Sequence, residues 1–316
     1  MIDGANSRAF FFVNSPGALV HGVTFFRGNY TGGQTTGSPV GYSQAALEIA
    51  SGTVSNCVID SCKCAYAGGA SLWGYGRLID CLVANCANRD GNGEIAAKGG
   101  GVKMYQNAYV SGCVITNNSA VRGAGLYMFG GLAENCVLFA NKAGDYGGGL
   151  GLEGGTARNI LAYGNATKFG GGAYLCDGKA ILESATVADN ASQSGTGRDI
   201  YMTAGTVRNA IVADALSDYD AEDPPLVTTG GTVAYCCSPS LTAGTDGNIA
   251  AAPVFTDPAS RNYRPKGRSP TINVGDNQDW MADGCDFDGK PRIDNKFVDM
   301  GCYETLVHRA TTIILK

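Results

Sequence analysis

The chain has 316 residues, of which 44% are hydrophobic and only 16% charged, with 47 glycines and a net charge of −5. Apolar content this high with so few charges excludes a disordered polyelectrolyte, and an acidic balance without a basic run excludes a nucleic-acid partner held by phosphate contacts. No apolar run approaches the roughly 20 residues of a spanning helix, so membrane insertion is not expected either.

The opening MIDGANSRAFFFV reads as an extended segment. Its apolar run, Ala9 to Val13, is shorter than a secretory core and lacks a basic leader. Any export signal and N-terminal cap are therefore expected upstream of Met1. From there a turn residue recurs at Gly17, Gly52, Gly76, Asn107, Gly131, Gly155, Gly178, Gly205 and Gly231, a period near 24 with longer steps of 35 and 31. Periods of this length indicate solenoids, propellers or arrays. The unit is rich in Gly, Val, Ile and Tyr and has no amphipathic helical stretch, which selects stacked parallel strands with three faces per coil. The long steps hold polar insertions, Asn29 to Tyr42 and Ala87 to Lys98, and insertions on one face of a solenoid often mark its binding side.

Between Gly99 and Gly155 the unit is stated twice, as GGGVKMYQNAYVSGCVITNNSAV and GAGLYMFGGLAENCVLFANKAGDY. Successive side chains of a strand point to opposite faces. Aligned on the glycines, Leu72, Met104, Met128, Leu152, Leu175 and Met202 form an inward ladder. Ser71, Lys103, Tyr127, Gly151, Tyr174 and Tyr201 then face outward, as do Trp73, Tyr105, Phe129, Glu153, Cys176 and Thr203. Cys57, Cys81, Cys113, Cys136, Ile160, Ala185 and Ala210 make a second inward stack. A third column, Cys62, Cys86, Asn118, Asn141, Asn165 and Asn190, places amides at a bend, where they can bond to one another and satisfy turn backbone.

Thiols recurring at one position of a coil are expected to be small core residues rather than a disulfide framework. Cys62 with Cys64, and the pair Cys236 and Cys237, lack the partner spacing and nearby His of a zinc site. Cys285 and Cys302, which bracket the closing stretch, could bridge. Residues 251–304 carry Pro253, Pro258, Pro265 and Pro270 and cannot continue central strands; Phe255, Tyr263, Ile272 and Val298 are expected to cover the apolar end of the last coil. Residues 305–316 form a tail. No cofactor is expected. Asp286 and Asp288 lie in a D-x-D-G phrase, but Gly284 and Asn295 stand where a calcium loop needs acids, so they read as turn-formers, with a surface calcium as the lesser alternative.

The repeated GGG-x-Y/M-x, GG-x-x-x-NC-V-I and N-A elements resemble the right-handed parallel β-helix repeat proteins of pectate-lyase-like architecture, found on bacterial surfaces. The stretch from Asp257 to Glu304, with N-Y-R-P, S-P-x-I-N-x-G, D-x-D-G-x-P-R and V-D-x-G-x-Y-E, is similar to the C-terminal closing segment of the choice-of-anchor Q proteins. The resemblance implies an all-β, single-stranded right-handed parallel β-helix, a three-sheet solenoid over residues 1–250 with a non-repeating C-terminal cap, secreted or held at a bacterial cell surface. It implies no single activity.

Two functions follow as expectations. A row of rings rising one coil at a time, Trp73, Tyr105, Tyr127, Phe129, Tyr174 and Tyr201, suits a polysaccharide lying along the axis and gives a structural or adhesive protein that binds cell-surface glycans. The same row could instead do no more than stabilise neighbouring strands. The alternative function is an enzyme acting on an acidic polysaccharide. A lyase would use Lys103 or Lys168 as base and Arg122 against a uronate carboxylate, and a glycosidase would need an acid pair, for which Asp145 and Glu153 are candidates. His occurs only at His21 and His308, which disfavours a triad or His-metal site. Neither the Asn-Thr-Asp and Gly-His-Gly pieces of polygalacturonases nor the Arg-rich motif of pectate lyases is present.

Overall fold

The computed structural model describes residues 1–7, 9–30, 45–89, 98–216, 220–294 and 296–306. Most of both polar insertions, the end of the tail and His308 therefore lie outside the described residues.

The chain winds into a parallel β-solenoid with three stacked sheets of nine, sixteen and seven strands. The largest sheet is two columns of strands joined through one eleven-residue strand, Ala45–Ser55, which pairs with Ala67–Leu72 through its first half and with Arg77–Ile79 through its second. The first column continues through Val102–Met104, Leu126–Met128, Leu150–Leu152, Ala173–Leu175 and Ile200–Met202. The second runs through Tyr109–Ser111, Leu132–Glu134, Gly155–Arg158, Ala180–Glu183 and Thr206–Arg208. Pairing is in register from coil to coil, so each column of the sequence becomes a column in space.

Each inward ladder expected from the alternation is in the core. Leu72, Met104, Met128, Leu152, Leu175 and Met202 are fully buried, as are the Cys57, Cys81, Cys113, Cys136, Ile160, Ala185, Ala210 stack and Cys62 and Cys86. The bend before each position of the cysteine and asparagine columns is a single left-handed residue, such as Asn135 ahead of Cys136 (φ 54) and Asn117 ahead of Asn118 (φ 53). Asn tolerates that conformation better than most side chains, which is why Asn recurs in the repeat.

The asparagines form a continuous buried chain. Asn118 Nδ2 donates to Asn141 Oδ1 and Asn141 Nδ2 to Asn165 Oδ1, both at 3.0 Å, and Asn165 Nδ2 donates to Asn190 Oδ1 at 2.9 Å. The series ends on Asp199, whose Oδ1 accepts from Asn190 Nδ2 at 2.8 Å. Asp199 Oδ2 meets no further partner among the described residues, so the ladder stops there. The glycine clusters fit around this chain. At Gly147 φ is +62, a Cβ on Gly148 would meet the Gly171 carbonyl at 2.5 Å, and one on Gly149 would meet Asn165 Nδ2 at 2.9 Å.

The closing segment lies elsewhere than expected. Phe255, Tyr263, Met300, Cys302 and Tyr303 pack on Leu161, Ala188, Ile211 and Cys237, the outward side of the nine-stranded sheet. Asn209 Nδ2 donates to Asp276 O at 2.7 Å, and Cys302 N to Thr186 Oγ1 at 3.2 Å, fixing the segment along the flank. The end of the last coil is met instead by the loop after Cys237, whose Leu241 packs on the core and whose Asn248 Oδ1 accepts from Cys236 N at 2.9 Å. Leu161, Tyr163 and Ile211 make the outer face of this sheet apolar, and a flank needs a cover as much as an end does. Ile272 is only half-buried. Inside the segment Arg292, fully buried, bonds to Glu304 and to the carbonyls of Asp299 and Gly301. Asp286 accepts from the backbone of Asp288, Lys290 and Glu304, the turn-forming role, and Asp288 pairs with Arg264. All twelve cysteines are free thiols, so Cys285, which is exposed, and Cys302, which is buried, are not bridged. Among the described residues no helix is long and apolar enough to cross a membrane.

Candidate functional site

The first column's outward residues share one side of the solenoid, at successive levels. Ser71, Lys103, Tyr127, Gly151, Tyr174 and Tyr201 are in register. Their rings form two stacks. In the first, Tyr105 lies between Trp73 and Phe129, at centroid distances of 5.1 and 4.8 Å, the latter pair within 8° of parallel. In the second, Tyr146, Tyr174 and Tyr201 cluster, with Tyr146 at 4.5 Å from Tyr174 and 6.3 Å from Tyr201, Tyr174 at 5.8 Å from Tyr201, and Phe169 against Tyr146 at 5.1 Å. Gly151 separates the two stacks, and Tyr127 uses the room it leaves: a Cβ on Gly151 would come within 2.5 Å of the Tyr127 ring.

Facing outward does not make all of these residues accessible. Ser71, Lys103 and Tyr127 are almost completely buried (0, 4 and 0% exposed), while Trp73, Tyr105, Phe129, Tyr174 and Tyr201 are half-buried. The covering layer comes from Tyr66, Lys98, Arg122, Tyr146 and Phe169 at the turn that precedes each strand. Tyr66 stacks on Tyr105 and Trp73, at 6.2 and 6.1 Å. Lys98 Nζ lies 5.0 and 4.9 Å from the Tyr127 and Phe129 rings and pairs with Glu153, which also accepts from the Tyr127 hydroxyl. The Arg122 guanidinium lies 5.1 Å over Tyr146. This layer carried a readable signal that the ladder assignments passed over: the residue just before each glycine cluster is long and basic or aromatic, and Lys98, Arg122, Tyr146 and Phe169 pair in register.

Lys103 is the buried cation of the face. Its Nζ sits 3.6 Å from the centroid of the Tyr66 ring and donates to Tyr66 O at 3.2 Å. Burial, reinforced by the neighbouring Lys98 charge, holds its pKa down to about 8. The five acid–base candidates are thus unevenly placed. Lys103, Arg122 and Glu153 belong to the face, Glu153 being taken up by Lys98 and Tyr127. Lys168 is exposed beside Phe169, its Nζ 5.4 Å from that ring, and Asp145 is half-buried beside Tyr146. Asp145 stands in the strand Lys142–Tyr146 of the seven-stranded sheet, whereas Glu153 follows Leu150–Leu152 in the large sheet. Of the histidines, His21 bonds to Ser55 at 2.9 Å, away from this face. Among the described residues no group of three His, Cys, Asp or Glu is arranged to hold a metal.

No family model and no curated protein matches the sequence. A solved structure, the crystal structure of pectate lyase Pel9A, aligns with a TM-score of 0.44 and 13% identity over 90% of this chain and 72% of that one. A likeness at that level leaves function to be argued from the site.

Proposed function

We propose that the protein is a cell-surface or secreted solenoid with a structural or adhesive role, which binds an acidic polysaccharide along the half-buried aromatic face of its first column. The observation that carries this reading is the Trp73, Tyr105, Phe129 stack with Lys98 and Lys103 set against the same rings. The stacked rings cover one another's faces and present their edges at successive strand levels, an apolar strip stepped at about 4.8 Å along which a sugar chain can lie. The chain is acidic overall, yet Arg122, Lys168 and the Glu153-paired Lys98 stand against the rings of this side, with the buried Lys103 adding its field beneath them, and an anionic chain would be the natural complement. The test is mobility in native gels cast with acidic or neutral polysaccharides. The parent should be retarded by the acidic ones and the Tyr105→Ala, Phe129→Ala double variant should not. If the parent shows no retardation and the double variant loses thermal stability, the rings serve only the fold.

One observation favours a second reading, a lyase. A lysine with a pKa near 8 is suited to abstract a proton beside a uronate carboxylate. Against it, Lys103 is 4% exposed and turned onto Tyr66. The two readings have opposite pH slopes. Binding that needs the Lys103 cation weakens as pH rises through about 8, whereas proton abstraction by the neutral amine strengthens. Release of ultraviolet-absorbing unsaturated uronates, rising with pH and lost in Lys103→Ala, would replace the binding reading with the enzymatic one.

A further inference from the structure

The corner between the two columns of the large sheet carries a second surface feature that the aromatic face does not use. Trp73 to Gly76 make a tight turn, with Gly76 N donating to Trp73 O at 2.8 Å and Gly74 at φ +50; Trp73 packs on the Tyr66 and Tyr105 rings, and Tyr75 does not. Tyr75 is 72% exposed and stacks on no described ring. Beside it opens a cavity of about 250 Å3, lined by Ser51, Thr53, Tyr75, Arg77, Asn107 and Tyr109.

Arg77 gives this cavity its chemistry. Its guanidinium lies 4.6 Å over the Tyr109 ring, which fixes the arm in place. Glu134, the carboxylate that meets Tyr109, is already engaged: it accepts from the Tyr109 hydroxyl and pairs with Arg158 at 2.7 Å. Among the described residues no carboxylate pairs with Arg77. An exposed ring, a pre-positioned and uncompensated guanidinium and the hydroxyl and amide groups of Ser51, Thr53 and Asn107 are together what a small anionic sugar requires. The ring takes the apolar sugar face, the guanidinium takes a planar or tetrahedral anion through two N–H groups, and the polar groups take hydroxyls.

We infer that the Tyr75–Arg77 cavity is a separate binding site for one sugar ring bearing a negatively charged group. The site does not rest on the reading of the aromatic face, from which the corner separates it. The test is saturation-transfer NMR and calorimetry on the full chain, with glucuronic acid, glucose 6-sulfate, glucose 6-phosphate and neutral glucose as probes. At least one anionic sugar should bind and glucose should not; the three anions identify which group the guanidinium prefers. Arg77→Gln should weaken that binding at least about tenfold, the worth of a charge-assisted contact. Tyr75→Ala should weaken it several-fold, and Arg77→Lys should retain part of it. Equal binding of glucose, unchanged binding in Arg77→Gln, or no binding by any probe would overturn the site. So would monosaccharide binding that disappears in the Tyr105→Ala, Phe129→Ala protein, because it would then belong to the aromatic face. Retardation by long polysaccharides should persist in Arg77→Gln, so the two sites fail independently.

Discussion

Replacing Asn141 by Ala tests what holds the coils in register. Asn141 Oδ1 accepts from both the backbone N and the Nδ2 of Asn118 at 3.0 Å, and its Nδ2 donates to Ile115 O at 2.9 Å and to Asn165 Oδ1 at 3.0 Å. The residue is 1% exposed, so water does not replace these partners without entering the core. The substitution strands the Asn118 N–H, one Asn118 amide hydrogen and the Ile115 carbonyl. At about 1–3 kcal/mol for each buried group left unpaired, and with part recovered by relaxation, the loss should be about 3–6 kcal/mol, well above the roughly 1 kcal/mol of an ordinary substitution. Cys113→Ala, in the adjacent thiol stack, is the control, because its thiol makes weak contacts to the carbonyls of Leu78 and Ser111, at 3.6 and 3.3 Å, and to neighbouring thiols. It should cost about 1 kcal/mol. Urea unfolding followed by the far-ultraviolet β signal measures both, and amide exchange should show the opening centred on coils 114–146. An Asn141→Ala loss no larger than that of Cys113→Ala would refute the view that the amide chain, rather than apolar stacking alone, fixes the register.

Two further outcomes follow from the geometry. Gly151→Ala places a methyl within 2.5 Å of the Tyr127 ring and 3.3 Å of Gly123 Cα, and thermal unfolding should register about 1–3 kcal/mol of overpacking; in a double-mutant cycle Tyr127→Ala should remove most of that cost, and strict additivity would contradict the contact. Asp199 is fully buried with Oδ2 unpartnered, and burial, with the nearby Asp214 charge, raises its pKa well above the usual carboxylate range. The native state therefore holds a proton there that the unfolded chain releases near pH 4, so this group's contribution is complete below about pH 4 and is lost as pH rises. Asp199→Asn should accordingly stabilise the protein at pH 7 and change little at about pH 3.5; an equal effect at both would show that folding does not raise the Asp199 pKa.

The solenoid was legible because its information is local and repeated. A left-handed bend at Asn135, a thiol at Cys136 and a glycine at Gly149 each answer a constraint set within one coil, and the period of about 24 residues repeats that constraint until the ladders of Met104, Cys113 and Asn141 are unambiguous. Alternation also told inside from outside correctly along the first column. It could not tell outward from exposed, since the burial of Lys103 and Tyr127 depends on where the turns carrying Tyr66, Lys98 and Tyr146 fold back, and on the empty place at Gly151. The Pro-rich composition of residues 251–304 showed that the repeat ends, but not that the segment turns back along the flank. That was decided by contacts such as Cys302 to Thr186, 116 residues apart. The Tyr75–Arg77 cavity is likewise closed by Ser51, Thr53 and Asn107 from neighbouring coils. Strand pairing propagates a local pattern and so can be read from sequence, whereas a cover or a cavity arises where surfaces from distant parts of the chain meet, and only their shapes in three dimensions determine whether they fit.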